Sequence, residues 1–267
     1  RGAIDFDSAE TQMIFDANGK IERIVPVVRN DAHRLIEECM LAANVCASKF
    51  LQRQKHPTLY RVHEGPTPER LAGLREFLGS FGLQVGGGDK PHALDYAEVL
   101  AKCKGRPEAQ LLQTVMLRSL RQAVYSPNNL GHFGLAYDGY THFTSPIRRY
   151  PDLLVHRAIK AALNGKKYNP GSWTELGGHC SMTERRADEA TRDVDAWLKC
   201  YYMRDRVGES FEGTVSSAVA FGIFVSLDGL YVEGLVHVSD LGSDYFHFDP
   251  AKHLLLGERT GRRFRIG

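Results

Sequence analysis

Residues 132–156 read HFGLAYDGYTHFTSPIRRYPDLLVH and form the densest cluster of polar and aromatic residues in the chain. Arg148 and Arg149 follow a Thr-Ser-Pro sequence in which Ser145 can cap a helical turn that Pro146 begins. The free backbone N–H groups at such a turn, together with guanidinium groups, favour an anion. The stretch therefore predicts a phosphate site beside the two arginines.

Aromatic residues are interleaved with these polar groups, namely Phe133, Tyr137, Tyr140, Phe143 and Tyr150. Rings of this kind stack on the bases of single-stranded RNA. The alternative is a buried loop in which the aromatic rings are core and the arginines pair with Asp152 and its neighbours. The residues by themselves favour neither interpretation over the other.

The sequence before this stretch predicts a hairpin and then helices. Apolar and polar residues alternate around Gly19 within residues 1–28, which is typical of a β-hairpin. A helix capped by Asn30 or Asp31 should follow. Its predicted buried face consists of Leu35, Ile36, Cys39, Met40, Ala43, Cys46, Ala47, Phe50 and Leu51.

Three further helices are expected before residue 132. Thr67 and Pro68 predict the start of one, which Gly82 should end. Two shorter helices are expected at about 93–103 and 107–125.

Two helices are expected after the arginines. One should run from Pro151 to Leu163. The other should run from Ser181 to about Val207, because Ser181 and Glu184 match the capping-box pattern. Its predicted buried stripe consists of Ala190, Val194, Trp197, Leu198 and Tyr201.

After Gly208 the apolar periodicity changes to that of strands, with glycines at the turns. We therefore predict an α+β fold with two domains, a mostly helical one over residues 1–207 and an all-β one over residues 208–267.

Composition sets limits on location and partners. The net charge of +2 does not by itself indicate nucleic acid binding. The 5 cysteines contain no C-x-x-C pair, which favours a reducing compartment and hence the cytoplasm. No apolar run approaches the roughly 20 residues of a membrane span. Because the first residue is Arg1 and not Met, we expect a piece of a longer polypeptide.

Residues 132–156 resemble, without a break, the diagnostic motif of the ribonuclease II and ribonuclease R family. The resemblance extends over residues 1–207, through RGAIDFD, RNDAHRLIEECMLAANVCA, YRVHEGP and ERRADEATRDVDAWLKC. It implies the C-terminal part of the catalytic domain of a processive 3′-to-5′ exoribonuclease. Such an enzyme hydrolyses single-stranded RNA to nucleoside 5′-monophosphates with the help of magnesium.

The resemblance also implies roles for individual residues. Arg148 matches the residue at the scissile phosphate, where it would neutralise developing charge. Arg149 and Ser145 would bind neighbouring phosphates or hold the turn. Tyr140 and His142 would contact RNA, although a histidine in a packed loop is more often structural. A metal site of His132, His142 and His156 is disfavoured, because their spacing fits no standard ligand motif.

One departure from the family concerns the metal. The family binds magnesium with an aspartate cluster of the form D-x-x-x-x-x-D-x-D-D, and this sequence contains none. Asp5 and Asp7 are interpreted as ordinary strand residues, and Asp188, Asp193 and Asp195 as ion-paired groups on a helix. We therefore predict no metal ligand in this chain and place the magnesium ligands elsewhere in the parent enzyme. The alternative is a non-catalytic fragment that binds single-stranded RNA.

Residues 208–267 resemble the S1-type RNA-binding domain, a five-stranded OB barrel. The match places Phe221, Phe224 and His237 on the RNA-binding face, and Tyr245 or Phe246 less surely. Because Phe224 alternates with Ile223 and Val225, one of the two sets must point inward. Two further strands are expected after about residue 265, so the barrel should be incomplete. The implied partner is single-stranded RNA, ribosome association is left open, and the protein is expected to be a monomer.

Overall fold

Six α-helices precede a β-rich module in the part of the chain that the computed structural model describes, residues 2–4, 6, 10–250 and 252–267. The helices are α1 Asp31–Arg53, α2 Pro68–Gly79, α3 Ala93–Cys103, α4 Ala109–Ser119, α5 Tyr150–Leu163 and α6 Trp173–Met203. The strands are β1 Thr11–Phe15, β2 Ile21–Pro26, β3 Tyr60–Val62, β4 Val124–Ser126, β5 Gly213–Val219, β6 Gly222–Leu227, β7 Glu233–His237, β8 Phe246–Asp249, β9 Leu254–Gly257 and β10 Arg263–Arg265. The predicted α+β fold is confirmed.

The predicted hairpin is confirmed as the antiparallel pair β1–β2, in which Thr11 lies opposite Pro26. Its turn is held by Asp16 Oδ1, which accepts hydrogen bonds from the backbone N–H of Lys20 at 2.8 Å and of Asn18 at 2.9 Å. Asp5 and Asp7 lie outside the described residues.

Helix α1 begins where the sequence predicts, because the Asn30 side chain accepts a hydrogen bond from His33 N. Ala47 and Leu51, on its second half, pack against Val155 and Ala158 of α5. The prediction of one continuous buried face is wrong for the first half of α1, where Leu35, Ile36 and Met40 are exposed. The apolar spacing identifies the side of the helix, but the residues that pack on α5 are in its second half.

Helices α2, α3 and α4 enclose the largest apolar cluster, which includes Leu78, Tyr96, Leu112 and Met116. Helix α2 begins at Pro68 as predicted but ends at Gly79 and not at Gly82. Helix α4 is shorter than predicted, because Leu120 takes an extended conformation and the chain then enters β4, which pairs with β3.

The predicted start of α6 at Ser181 is wrong. The helix begins at Trp173, and the Ser172 side chain caps it by accepting a hydrogen bond from Glu175 N at 3.2 Å. Gly177 is required inside the helix, since a Cβ there would lie 2.7 Å from the Tyr125 carbonyl oxygen. Ser181 does not cap the helix. Its hydroxyl donates to Gly177 O at 2.8 Å and accepts from Tyr125 N at 2.9 Å, joining α6 to β4.

The predicted buried stripe on the second half of α6 is also wrong. Val194, Trp197 and Tyr201 are exposed, and the Trp197 and Tyr201 rings stack on each other with centroids 5.7 Å apart. The first half of the helix packs on β4, whereas the second half extends beyond that contact. Periodicity predicted the helix correctly but did not predict which part of it is buried.

The β-rich part, residues 208–267, is called the S1 module below. It contains two three-stranded antiparallel sheets, ordered β5-β6-β7 and β10-β9-β8. A shared apolar cluster that includes Ala218, Ile223 and Leu255 lies between them. The sheets remain open in the described residues, as the prediction of an incomplete barrel requires.

The S1 module is joined to the helices by its last strand. Ile266 is 2% exposed and lies in the apolar cluster of α2, α3 and α4. Arg265 lies 3.8 Å from the Glu108 carboxylate at the start of α4. Among the described residues, no helix is both long and apolar enough to cross a membrane.

Candidate nucleic-acid interface

Residues 140–149, called the motif loop below, connect the β4 region to α5 without helix or strand structure. Asn44 of α1 holds its beginning. The Asn44 side-chain amide donates to the Tyr140 hydroxyl at 2.8 Å, and Asn44 Oδ1 accepts from Phe143 N at 2.9 Å. Thr141 donates to Leu59 O at 2.6 Å. The first half of the loop is therefore fixed by hydrogen bonds to α1 and to the segment before β3.

Asp152 of α5 holds the end of the motif loop. Its side chain is fully buried, and Oδ1 accepts from Ser145 N and from the Arg149 guanidinium, each at 2.8 Å. Asp152 Oδ2 and Arg149 Nε are buried without a hydrogen-bond partner, and both belong to this one ion pair. The two arginines lie before α5, which begins at Tyr150. The turn predicted after Ser145 is present, since Arg149 N donates to Ser145 O at 2.9 Å.

Arg148 and Arg149 therefore occupy different environments. Arg149 pairs with Asp152 and holds the turn, whereas the Arg148 side chain is exposed and its guanidinium has no hydrogen bond or ion pair with the described residues. The sequence left open whether both arginines pair with Asp152. The structure separates them, and Arg148 alone presents a free guanidinium.

His142 lies among four positively charged or histidine side chains. Burial, followed by the charges of Arg149, Arg61, His132 and Arg148, lowers the pKa of His142 to about 3. Its Nδ1 is hydrogen-bonded to the Tyr125 hydroxyl at 2.8 Å. His142 is therefore neutral at neutral pH and lies within electrostatic reach of Arg148.

His132 and Tyr140 are largely shielded from solvent. Burial, followed by the charge of His63, lowers the pKa of His132 to about 3. Tyr140 is 5% exposed, and burial raises its pKa. Little of the Tyr140 ring is available to a ligand, so its predicted contact with RNA stays a prediction.

Sequence reasoning missed the residues that support this cluster. Arg61 of β3 forms an ion pair with Glu184 of α6 at 2.6 Å, and its guanidinium lies 4.7 Å above the Tyr125 ring. Asn44 was missed as well. Arg61 and Glu184 lie in the family-like stretches YRVHEGP and ERRADEATRDVDAWLKC, which was the available signal, whereas periodicity gives none.

A cleft of about 710 Å³ lies beside the cluster. It is lined by His132 and Tyr137 from the motif and by His63, Lys90 and His92 from other segments. The Tyr137 ring stacks on that of Tyr140 with centroids 5.8 Å apart. The cleft thus combines aromatic and histidine side chains with Lys90 and with the acidic residues Glu64 and Asp138.

The S1 module presents a second aromatic surface. Ile223 is in the module's core and Val225 packs against that core, so Phe224 is on the opposite face of β6. Phe221, which is 50% exposed, meets Phe224 edge-to-face with centroids 6.3 Å apart. His237 is exposed, and its Nδ1 is 2.9 Å from Ser239 Oγ. At the other sheet Tyr245 is exposed and Phe246 is buried in the core.

Acidic and other metal-ligating side chains do not gather at these surfaces. Within residues 2–4, 6, 10–250 and 252–267, no group of three or more His, Cys, Asp or Glu side chains could hold a metal ion. The residues present thus do not fit a magnesium site.

Comparison with known proteins finds two domain families along the chain. Residues 1–165 match the model of the RNB domain family, and residues 204–260 match the S1 RNA binding domain. The chain is 52% identical over 281 residues to ribonuclease R of Vibrio cholerae and 51% identical over 280 residues to that of Escherichia coli. It covers 34% of each relative and is itself covered completely.

A solved structure is similar over the whole chain as well. Mycoplasma genitalium RNase R, in complex with ribose methylated single-stranded RNA, superimposes with a TM-score of 0.89 at 28% identity. The match covers 100% of this chain and 43% of that one.

Fold and family matches together define an RNB domain followed by an S1 RNA binding domain. The chain belongs to the RNB domain family, which confirms the resemblance found in the sequence. It spans about a third of the length of the curated relatives that it matches.

Proposed function

We propose that the chain is part of a processive 3′-to-5′ exoribonuclease that hydrolyses single-stranded RNA to nucleoside 5′-monophosphates. The observation that carries the proposal is Arg148, an exposed guanidinium without a protein partner among the described residues, on a loop fixed from both ends. The same loop belongs to the stretch 132–156, which resembles the ribonuclease II and ribonuclease R motif and lies within the RNB domain match.

In this proposal Arg148 binds the scissile phosphate and neutralises the charge that develops there. The guanidinium suits this role because it stays charged and offers several donors in a fixed plane. Arg149 and Ser145 hold the turn through Asp152. His142 would contact the RNA next to Arg148, and its lowered pKa means that it would do so as a neutral group.

The S1 module would grip the strand independently of its sequence. Phe221, Phe224 and His237 would stack on bases, and stacking accepts every base because each has an aromatic face. A processive enzyme needs such a grip, since it must accept each nucleotide in turn.

Magnesium belongs to the parent enzyme in this proposal. Because the described residues contain no suitable ligand group, its ligands would come from outside this chain. The same observation favours a second candidate, a non-catalytic fragment that binds single-stranded RNA. We expect the 267-residue chain alone to bind single-stranded RNA weakly, with an affinity that falls as salt rises, and to hydrolyse none. We further propose that the protein is a cytoplasmic monomer.

The test is RNA degradation by the full-length protein. RNA labelled at its 3′ end should release labelled mononucleotide at once, whereas RNA labelled at its 5′ end should release label only at the end of digestion. A circular RNA of the same sequence is the matched control and should stay intact. Internal fragments from the 5′-labelled or the circular RNA would contradict an exonuclease.

A further inference from the structure

Two buried polar side chains, Asn44 and Asp152, hold the motif loop from two different helices. Asn44 is 3% exposed on α1, and Asp152 is 0% exposed on α5. These helices pack on each other through Ala47, Leu51, Val155 and Ala158. The two side chains thus project toward the loop from one rigid base.

Asn44 uses both ends of its amide. The Nδ2 group donates to the Tyr140 hydroxyl at 2.8 Å, and Oδ1 accepts from Phe143 N at 2.9 Å. Because the amide is planar, these two hydrogen bonds set the distance between residues 140 and 143. His156 strengthens this part of the loop, since its ring stacks on Phe143 at 4.2 Å and its Nε2 is 2.9 Å from Phe143 O.

Asp152 fixes the other end. Its Oδ1 receives two donors at 2.8 Å, Ser145 N and the Arg149 guanidinium. The turn that ends in Arg148 is closed by Arg148 N and Arg149 N, which both donate to Ser145 O, at 3.3 Å and 2.9 Å. Asp152 thus holds Ser145 and Arg149 on either side of Arg148. The Arg148 side chain, which is exposed, points away from this buried ion pair.

We propose that Asn44 and Asp152 form a clamp that positions Arg148 for the scissile phosphate. Neither residue touches the RNA, so both are positioning residues. The inference rests on the proposed role of Arg148. Misplacing a group by about 1 Å lowers turnover by up to about a hundredfold, so the clamp should affect turnover more than RNA affinity.

The experiment is a double-mutant cycle in the full-length protein with single-stranded RNA. Asp152→Asn should lower kcat by about tenfold to a hundredfold and change KM by less than about threefold. In an Arg148→Ala background, the same change should lower kcat by less than about twofold further, because the group being positioned is gone. Asp193→Asn, at an exposed acid on α6, is the matched control and should leave kcat unchanged.

A second cycle uses Asn44→Ala, which removes the contact made from α1 and does not change the charge. It replaces the Asp152→Asn cycle if that variant fails to fold. An equal loss of kcat in the presence and absence of Arg148 would show that the clamp residues act only on stability and would overturn the inference. Full turnover by Arg148→Ala alone would instead overturn the proposed function, and the clamp with it.

Discussion

Arg61 and Glu184 are 123 positions apart in the sequence, yet the Arg61 guanidinium lies 2.6 Å from Glu184 Oε2. The pair joins β3 to α6 directly beneath the motif loop. The Tyr125 ring lies 4.7 Å from the Arg61 guanidinium, and the Tyr125 hydroxyl is hydrogen-bonded to His142. Four segments of the chain, namely β3, β4, α6 and the motif loop, therefore meet at one partly buried charge cluster.

Glu184→Gln should destabilise the fold by about 1–3 kcal/mol, because it leaves the half-buried Arg61 without its counter-charge. The free energy of unfolding in urea measures this loss. Glu64→Gln breaks the more exposed Arg121–Glu64 pair, whose atoms are 2.8 Å apart, and is the matched control. It should cost less than about 1 kcal/mol. Equal losses in the two variants would contradict the structural role of the Arg61–Glu184 pair.

Stability should fall as the pH is lowered from 7 to 5. Burial lowers the pKa of both His132 and His142 from 6.5 to about 3, so the folded state stays unprotonated while the unfolded chain takes up protons. The unfolded state is therefore favoured as pH drops below the unfolded pKa. His142→Gln should reduce the pH dependence of the unfolding free energy by roughly 1–2 kcal/mol over this range. His179→Gln, at an exposed position, should not, and an unchanged slope in His142→Gln would contradict the burial of a neutral ring.

Phe221→Ala should weaken binding of single-stranded RNA by the full-length protein. Loss of one base-stacking ring corresponds to about 1–3 kcal/mol, or roughly fivefold to a hundredfold in Kd. Because Phe221 is half exposed, the melting temperature should change little. Leu117→Ala, at an exposed apolar position on α4, is the control for general surface effects. If the Phe221→Ala variant and the wild type bind RNA with equal affinity, the face of the S1 module that carries Phe221 does not contact the RNA.

Ile266→Ala should uncouple the S1 module from the helices. The side chain is buried in the helical core, so its truncation should cost about 2–5 kcal/mol and separate one thermal transition into two. Differential scanning calorimetry of the 267-residue chain measures both effects. Leu256→Ala on β9, which is exposed, is the control. A single unshifted transition would show that the two parts do not share a core.

Local sequence patterns predicted helices and strands well where a capping residue or the alternation of apolar and polar residues determines them. Asn30 and Thr67 cap helices α1 and α2 as expected. The start of α6 was missed because Ser181 and Glu184 match a capping box in the sequence, whereas the Ser181 hydroxyl in fact bonds Gly177 O and Tyr125 N. That reason lies in tertiary contact and leaves no trace in local spacing.

Burial was harder to predict than helix formation. Trp197 is on the apolar side of α6, as its spacing requires, but it is 64% exposed in the described part of the chain. The sequence also treated Arg148 and Arg149 as one pair of phosphate-binding residues. In the structure they differ, because only Arg149 forms an ion pair with the buried carboxylate of Asp152. Which of the two arginines pairs with Asp152 depends on the direction of each side chain in the turn, and the local sequence pattern does not predict that direction.

The most direct test of the account is Arg148→Ala in the full-length protein, with turnover and RNA affinity measured on the same single-stranded RNA. If Arg148 acts at the scissile phosphate, kcat should fall by about a hundredfold to a thousandfold while Kd changes by only a few fold. Arg185→Ala, at an exposed arginine of α6, should leave both unchanged. Equal losses in turnover and affinity for Arg148→Ala would make this arginine a grip on the strand and contradict its role in the reaction.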